Sequence, residues 1–186
     1  MPVDGAVADA IRRLPGGSLM TRWRPPGVKS SPYVTAEGYR ALELELQALG
    51  GRRVETVKHL AAAAAEGDRS ENAEYIYRKK ELREIDRRLG YLQRRMPALT
   101  IVTQTLASAR REQIFFGAWV ELEDPAGVRL RYRIVGSDEI NKDDAYISID
   151  SPLAGALLKR QTEDEITFET ARGPVSYRII AVDYAC

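Results

Sequence analysis

The feature that most constrains the fold is a run of large aliphatic residues at alternating spacings of three and four. Its members are Leu82, Ile85, Leu89, Leu92, Met96 and Leu99. Residues at this spacing form one stripe along a helix, and a stripe with a seven-residue period is buried against a second helix. The pattern therefore predicts a helical arm that needs a partner helix. Pro97 predicts that this arm bends or frays near its end.

The partner arm is predicted in the preceding residues, beginning at Thr35, which is a suitable helix N-cap. Heptad spacing relates the next large residues, Tyr39, Leu42, Leu46 and Leu49. Gly50 and Gly51 then interrupt the pattern. Because a glycine inside a helix costs about 1 kcal/mol relative to alanine, we expect a kink or hinge there. The stripe is predicted to resume at Val57, then Leu60 or Ala61, then Ala64.

The two arms predict an antiparallel coiled-coil hairpin over residues 33–103. Gly67 follows the alanine-rich end of the first arm, and glycine is favoured just past a helix end. Arms of about 30 residues would make a hairpin roughly 45 Å long. A hairpin of that length should project from a small domain. Its tip is predicted at residues 67–75.

The predicted tip carries two carboxylates, Asp68 and Glu71. One interpretation is ordinary capping, in which Asp68 or Ser70 caps the second arm and Glu71 lies in its first turn. The other is a shared divalent cation. Mg²⁺ takes about six oxygen ligands, so two carboxylates would need ligands from another molecule. The second interpretation therefore predicts action together with a partner and argues against a nuclease that works alone.

The second arm is rich in basic residues near the tip, namely Arg78, Lys79, Lys80, Arg83 and Arg87. Lys79, Arg83 and Arg87 are four apart and share a face. These cations could form the solvated exterior of a coiled coil, or a stripe that binds a nucleic-acid backbone. Tyr75 could stack on a base or pack the end of the hairpin.

The C-terminal part of the chain changes period. Alternation of apolar and polar residues predicts short strands at residues 118–123, 128–135, 146–149, 165–169 and 175–182. Ser151 and Pro152 open a short helix, whose apolar side is Leu153, Leu157 and Leu158. Residues 112–186 are thus predicted to form a small, mainly antiparallel sheet with one helix. The fold class is α+β, with residues 1–32 as a flexible extension and 103–111 as a linker.

Composition excludes several classes of protein. One Cys and one His rule out a Cys/His zinc site within one chain, and the absence of a disulfide framework fits a cytoplasmic protein. No apolar run is long enough for a membrane span. Residues 1–111 hold 20 Lys and Arg against 13 Asp and Glu, whereas residues 112–186 hold 8 against 14. This asymmetry predicts two units with different roles.

Two motifs resemble those of a known family. The sequence Gly-Asp-Arg-Ser-Glu-Asn-Ala-Glu-Tyr at 67–75 resembles the tip motif of the bacterial Gre transcript cleavage factors. Residues 148–158 look like the second signature of that family, and the resemblance extends from about residue 32 to 184. The finer similarity, in residues 68–72, 79–88 and 115–120, is to the GreB branch.

The resemblance implies a function. Such factors insert their coiled coil through the secondary channel of bacterial RNA polymerase, and acidic tip residues matching Asp68 and Glu71 help to hold a Mg²⁺ ion. The polymerase then hydrolyses the 3′ end of backtracked nascent RNA. The free factor would hold no tight cofactor, act as a monomer and not be an enzyme by itself.

The resemblance also implies roles for other residues. Ser70, Asn72 and Tyr75 would shape the tip or contact substrate, and the basic stripe would contact the RNA. The C-terminal domain would be FKBP-like, and Ser151, Pro152 and Leu153 match the region that contacts polymerase. The extension at 1–32 has no counterpart in the family, and Gly50-Gly51 stands near a stretch that is usually charged.

Overall fold

The computed structural model describes residues 30–66, 69, 71–103, 112–170 and 173–184. Most of the predicted linker, at 104–111, lies outside these ranges, as do residues 1–29. The elements in chain order are β1 (Tyr33–Thr35), α1 (Ala36–Ala65), α2 (Ala73–Arg95), β2 (Thr100–Val102), β3 (Trp119–Glu123), β4 (Arg129–Val135), β5 (Tyr146–Ser148), α3 (Pro152–Leu157), β6 (Glu165–Thr170) and β7 (Gly173–Asp183). The predicted α+β class is confirmed. None of the described helices is long and apolar enough to cross a membrane.

The α1–α2 hairpin is held by the stripe that the sequence predicts on α2. Ile85, Leu92 and Met96 are buried, with 4%, 0% and 8% of their surface exposed. Leu42 of α1 is buried against Leu92 and Met96, and Tyr39, Leu46, Leu49 and Leu99 pack around this cluster. Thr35 is the N-cap of α1, as expected, and its hydroxyl accepts a hydrogen bond from the Gly38 N–H at 2.9 Å. A 3-10 turn, Met96–Ala98, follows α2 at Pro97.

Gly50-Gly51 does not end the first arm, because α1 is one unbroken helix of 30 residues. An unbroken helix carries the heptad spacing forward from Leu49, so Thr56 and Ala63 face α2 and are buried. Of the predicted continuation, Val57 and Ala61 are exposed, whereas Leu60 and Ala64 are half-buried. Contacts between the helices offset the low helix propensity of the two glycines.

The C-terminal sheet has the strand order β5-β4-β3-β7-β6. All neighbours are antiparallel except β4 and β5, which are parallel. One face of the sheet packs against α3 around a core that includes Val120, Leu122, Ile134, Leu157 and Ile179. The alternation read from the sequence therefore predicts which side chains of β3 and β4 point inward.

Two short strands close the base of the hairpin. β1 and β2 pair in parallel, with Val34 opposite Ile101, and this pairing has no periodic signal in three-residue segments. The residues just before β1 are also held, since the Ser31 N–H donates to Asp150 at 2.9 Å and Arg95 donates to the Ser31 carbonyl at 2.6 Å. The prediction of a flexible extension over 1–32 is therefore wrong for residues 30–32.

Two glycine substitutions in α1 should have opposite effects. A Cβ at Gly50 would meet nothing within 4 Å, whereas a Cβ at Gly38 would lie 1.8 Å from the buried Glu139 Oε2. We expect Gly50→Ala to raise the free energy of unfolding by up to about 1 kcal/mol through helix propensity and Gly38→Ala to lower it. Urea unfolding monitored by circular dichroism measures both. A loss of stability in Gly50→Ala would contradict a helix that is unstrained at that residue.

Candidate functional site at the hairpin tip

The tip joins the end of α1 to the start of α2. Glu66 is the C-cap of α1, and Asn72 is the N-cap of α2. The Asn72 Oδ1 accepts a hydrogen bond from the Tyr75 N–H at 3.1 Å, and its Nδ2 donates to the Ala63 carbonyl at 2.9 Å. One side chain therefore satisfies an orphan donor of α2 and adds a second hydrogen bond to the Ala63 carbonyl, which also accepts from the Glu66 N–H at 3.4 Å. The bond to Ala63 fixes the two arms against each other at the apex.

The N-cap predicted from the sequence is wrong. Asp68 or Ser70 was expected to cap α2 with Glu71 in its first turn, but the helix begins after Asn72 and Glu71 precedes it. An asparagine amide offers both an acceptor and donors, so this cap can also bind the other arm. Gly67, Asp68 and Ser70 lie outside the described residues.

Glu71 is therefore available for another role. Its side chain is exposed, and it makes no hydrogen bond or ion pair with another residue that the structure describes. The capping interpretation of Glu71 no longer holds, because the residue lies outside the first turn of α2. What remains is an exposed carboxylate, without a partner among the described residues, immediately before the N-terminus of α2.

The cations of the basic stripe beside the tip differ in whether a carboxylate pairs with them. Arg78 lies between Glu74 at 2.7 Å and Glu81 at 3.0 Å, so its charge is locally neutralised. Hydrogen bonds from Arg52 and Arg78 lower the pKa of Glu81, which keeps this cluster ionised. Of the five cations predicted to bind RNA, Arg78 is therefore one whose charge is already paired with carboxylates.

Lys79, Lys80 and Arg83 are exposed and line a shallow groove of about 500 Å³. The other lining residues are Arg69, Tyr75 and Ile76. The Lys79 ammonium lies 5.6 Å from the centre of the Tyr75 ring, which is within the range of a cation–π contact. Arg87 is exposed on the same helix but does not line the groove.

Sequence reasoning missed two lining residues of this groove, Arg69 and Ile76. Ile76 is 53% exposed, and the sequence contains a signal for it, because residues 76, 80 and 83 follow helical spacing on one face. The groove thus combines the apolar surfaces of Tyr75 and Ile76 with four cations. Such a surface suits the base and phosphates of a single-stranded nucleic acid.

Ion pairs join the two arms elsewhere along the hairpin. Arg88 binds Glu45 through two hydrogen bonds of 2.6 and 2.8 Å, Arg52 contacts Glu81 at 2.6 Å, and Arg53 contacts Asp86 at 2.6 Å. Hydrogen bonding to Arg88 lowers the pKa of Glu45. These pairs neutralise cations of both arms, whereas Lys79, Lys80 and Arg83, which we call the open flank of the hairpin, face solvent.

The second group of predicted residues lies in the other domain. Ser151 is the N-cap of α3 and accepts a hydrogen bond from the Ala154 N–H at 3.1 Å. Pro152 is exposed, whereas Leu153 is half-buried and packs against the core of the sheet. Local capping accounts for Ser151, and Pro152 is the residue of this group that is open to a partner.

Two family descriptions match the chain. "Transcription elongation factor, N-terminal" covers residues 32–101, and "Transcription elongation factor, GreA/GreB, C-term" covers residues 109–184. The transcription elongation factor GreB of Xanthomonas axonopodis pv. citri is 54% identical over 168 residues, which span 89% of this chain and 99% of that protein. GreB of Pseudomonas aeruginosa is 45% identical over 166 residues, spanning 89% and 98%.

The chain belongs to the GreA/GreB family of transcription elongation factors. The resemblance seen in the sequence is confirmed, and the relatives named above are GreB proteins. Among solved structures, Thermus aquaticus Gfh1 is 26% identical with a TM-score of 0.39, over 84% of this chain and 100% of that one. In this GreA/GreB chain, the N-terminal match covers β1 and the hairpin, and the C-terminal match covers the sheet.

Asn72 substitutions should separate the two bonds at the tip of this family member. Asn72→Ala removes both and should lower the free energy of unfolding by about 1 kcal/mol. Asn72→Asp keeps the acceptor for Tyr75 but not the donor to Ala63, so its stability should fall between those of the wild type and Asn72→Ala. Chemical denaturation measures this order. Gln93→Ala, an exposed amide on α2, is the control, and equal stabilities of both Asn72 variants would contradict the bridge between the arms.

Proposed function

We propose that this protein binds bacterial RNA polymerase, extends its hairpin through the secondary channel and stimulates Mg²⁺-dependent cleavage of the 3′ end of backtracked nascent RNA. Membership of the GreA/GreB family supports this function. The single observation that carries it is Glu71, which is exposed and has no partner among the described residues, at the apex of a hairpin whose 30-residue arm spans about 45 Å. A carboxylate held at that distance from the sheet domain suits a site that only a narrow projection can reach.

The donor set of the tip fits a shared magnesium ion. Asp68 and Glu71 offer carboxylate oxygens, which are the ligands that Mg²⁺ prefers. Among the described residues no group of three or more His, Cys, Asp or Glu side chains is placed to hold a metal ion. The polymerase and the RNA would therefore complete the coordination. When bound, the ion would activate water and stabilise charge on the phosphate oxygens.

This division of labour makes the protein a stimulating factor whose partner performs the hydrolysis. Glu71 and Asp68 supply charge at the apex, and Asn72 fixes the loop between the arms. Ser70 and Tyr75 belong to the same segment and would shape the tip or contact the substrate. A chain that acts beside RNA polymerase works in the cytoplasm, and nothing in this mechanism requires a second copy.

The open flank of the hairpin is proposed to bind the extruded 3′ end of the RNA. Its exposed cations, Lys79, Lys80 and Arg83, would neutralise phosphates, and Tyr75 and Ile76 offer surfaces on which a base can pack. In the sheet domain, Ser151, Pro152 and Leu153 are proposed to contact polymerase, with Pro152 as the exposed residue among them.

Cleavage in stalled elongation complexes tests the role of the tip. We expect Asp68→Ala and Glu71→Ala each to reduce the rate of RNA shortening by at least about a hundredfold, as for removal of an electrostatic catalytic group, without loss of polymerase binding. Glu55→Ala is the matched control, since Glu55 is an exposed carboxylate on α1 with 62% of its side chain accessible. Unimpaired cleavage by both tip variants would contradict the proposal.

The same assay distinguishes two other functions. Binding that inhibits RNA synthesis without any cleavage by the wild type would indicate a regulator that only occupies the channel. Shortening of RNA by the pure protein with Mg²⁺ and no polymerase would indicate a nuclease that acts alone. We expect neither result, because the tip carries too few ligands for an independent metal site.

The basic flank predicts a graded effect of charge removal. Lys79→Ala and Arg83→Ala should weaken the response to backtracked complexes and reduce its salt dependence, since each removes one phosphate contact. Arg78→Ala should change the response less, because Glu74 and Glu81 already neutralise that cation. Cleavage rates at several salt concentrations measure the difference. A larger loss of cleavage rate in Arg78→Ala than in Lys79→Ala would contradict the assignment of Lys79 as a phosphate-binding residue.

A further inference from the structure

The joint between the hairpin and the sheet domain contains a buried carboxylate. Glu139 lies in the loop between β4 and β5, and only 1% of its surface is exposed. A carboxyl group so deeply buried needs several hydrogen bonds to offset the loss of hydration. The donors of those hydrogen bonds show which parts of the molecule Glu139 connects.

Glu139 receives hydrogen bonds from both sides of the joint. Its Oε1 accepts from the Gly136 N–H at 2.9 Å, within the loop, and from the Thr35 N–H at 3.0 Å, at the start of α1. Its Oε2 accepts from the Thr35 hydroxyl. That hydroxyl oxygen is also the cap of α1, because it accepts from the Gly38 N–H. The carboxylate is thus bonded to the residue that begins the first arm.

The fit around Glu139 excludes larger neighbours. A Cβ at Gly38 would lie 1.8 Å from the Glu139 Oε2 and 2.2 Å from its Cδ. A Cβ at Gly136 would lie 2.2 Å from the Tyr33 carbonyl oxygen. Two glycines therefore allow the loop and the first turn of α1 to approach closely. The contact defines one relative placement of the two backbones.

The neighbouring residue of the loop holds the other arm. Asp138 contacts Arg95 of α2 at 2.9 Å and accepts a hydrogen bond from the Tyr91 hydroxyl. Arg95 is 18% exposed and Asp138 is 5% exposed, so this pair is shielded from solvent. Two adjacent carboxylates thus bind the bases of both arms, and the loop controls the direction in which the hairpin leaves the sheet.

Small errors at this joint become large at the tip. The arm of 30 residues is about 45 Å long, so a rotation of about 3° at its base moves the apex by roughly 2 Å. A misplacement of about 1 Å at a reacting centre can cost about a hundredfold in rate. A hairpin that works at its far end therefore depends on a rigid base.

We propose that Glu139 is a positioning residue for transcript cleavage, which aims the hairpin tip by locking the start of α1 to the sheet domain. This inference rests on the proposed function. It assigns Glu139 no contact with RNA, metal or polymerase. Its removal leaves the tip carboxylates and the open flank of the hairpin intact but lets the tip sample more positions.

The first test measures the orientation of the hairpin relative to the sheet domain in the free protein. Spin labels at Ala62→Cys on α1 and Glu169→Cys on β6, in a Cys186→Ser background, report the distance between arm and sheet. We expect a narrow distribution for the wild type and for Glu139→Gln, whose amide can still accept from both N–H groups. Glu139→Ala should broaden or shift it. An unchanged distribution in Glu139→Ala would overturn the proposal.

The second test uses the cleavage assay to distinguish an effect on tip placement from an effect on polymerase binding. At saturating factor, Glu139→Ala should lower the maximal cleavage rate by about tenfold or more, while the concentration for half-maximal effect stays within about twofold of wild type. Glu139→Gln should recover most of the rate. Equal losses in the two variants, or a loss confined to the half-maximal concentration, would contradict positioning by hydrogen bonds.

Two further variants test whether a loss of rate in Glu139→Ala comes only from reduced stability. Ile166→Val trims the buried core of the sheet domain without touching the joint, and it should keep the maximal rate. If it lost as much rate as Glu139→Ala, instability would be the cause and the proposal would be wrong. Thr35→Val removes the hydroxyl that links α1 to Glu139 and should reproduce the broadened distances if Glu139→Ala does not fold. The distance measurement does not require polymerase. If the wild type failed to stimulate cleavage, the proposed function would be overturned, and the spin-label distances would still test whether Glu139 fixes the hairpin to the sheet domain.

Discussion

The burial of one heptad seam between α1 and α2 is the constraint on which the rest of the molecule depends. A helix of 30 residues with little contact to the sheet domain is stable only because a second helix covers its apolar stripe. The seam also fixes the register of the arms, and register decides which residues reach the apex. The bond from Asn72 to the Ala63 carbonyl is possible only in that register. A slip of one turn would separate the cap from its partner and move Glu71.

Charge is arranged unequally along the hairpin. Interhelical pairs such as Arg88 with Glu45 and Arg53 with Asp86 neutralise cations of both arms, while Lys79, Lys80 and Arg83 remain exposed beside the tip. Exposed cations can neutralise the phosphates of a nucleic acid, whereas cations already paired with carboxylates contribute less. The electrostatic role of the hairpin therefore resides in its arrangement, since the whole chain has a net charge of only +1.

The sequence predicted those parts of the fold in which each residue's role follows from local spacing. The seam of α2 and the strands of the sheet were readable because large aliphatic side chains occupy nearly every inward position. The second half of α1 was misread because Thr56 and Ala63 fill the seam while a more apolar residue, Val57, lies beside it. The N-cap was misplaced because the contact that favours Asn72 comes from the other arm. Glu139 gave no signal, since its partner Thr35 is 104 residues away. The tip motif itself was readable by resemblance, which supplied the roles that spacing could not.

The parallel pairing of β1 with β2 bears on the length of the hairpin. The two strands bring the ends of the hairpin side by side, running in the same direction, so the attachment of the hairpin does not depend on its length. Adding or deleting seven residues in each arm would preserve the inward stripe and the direction in which the apex faces. The reach of the tip could thus change in steps of about 10 Å with the same base.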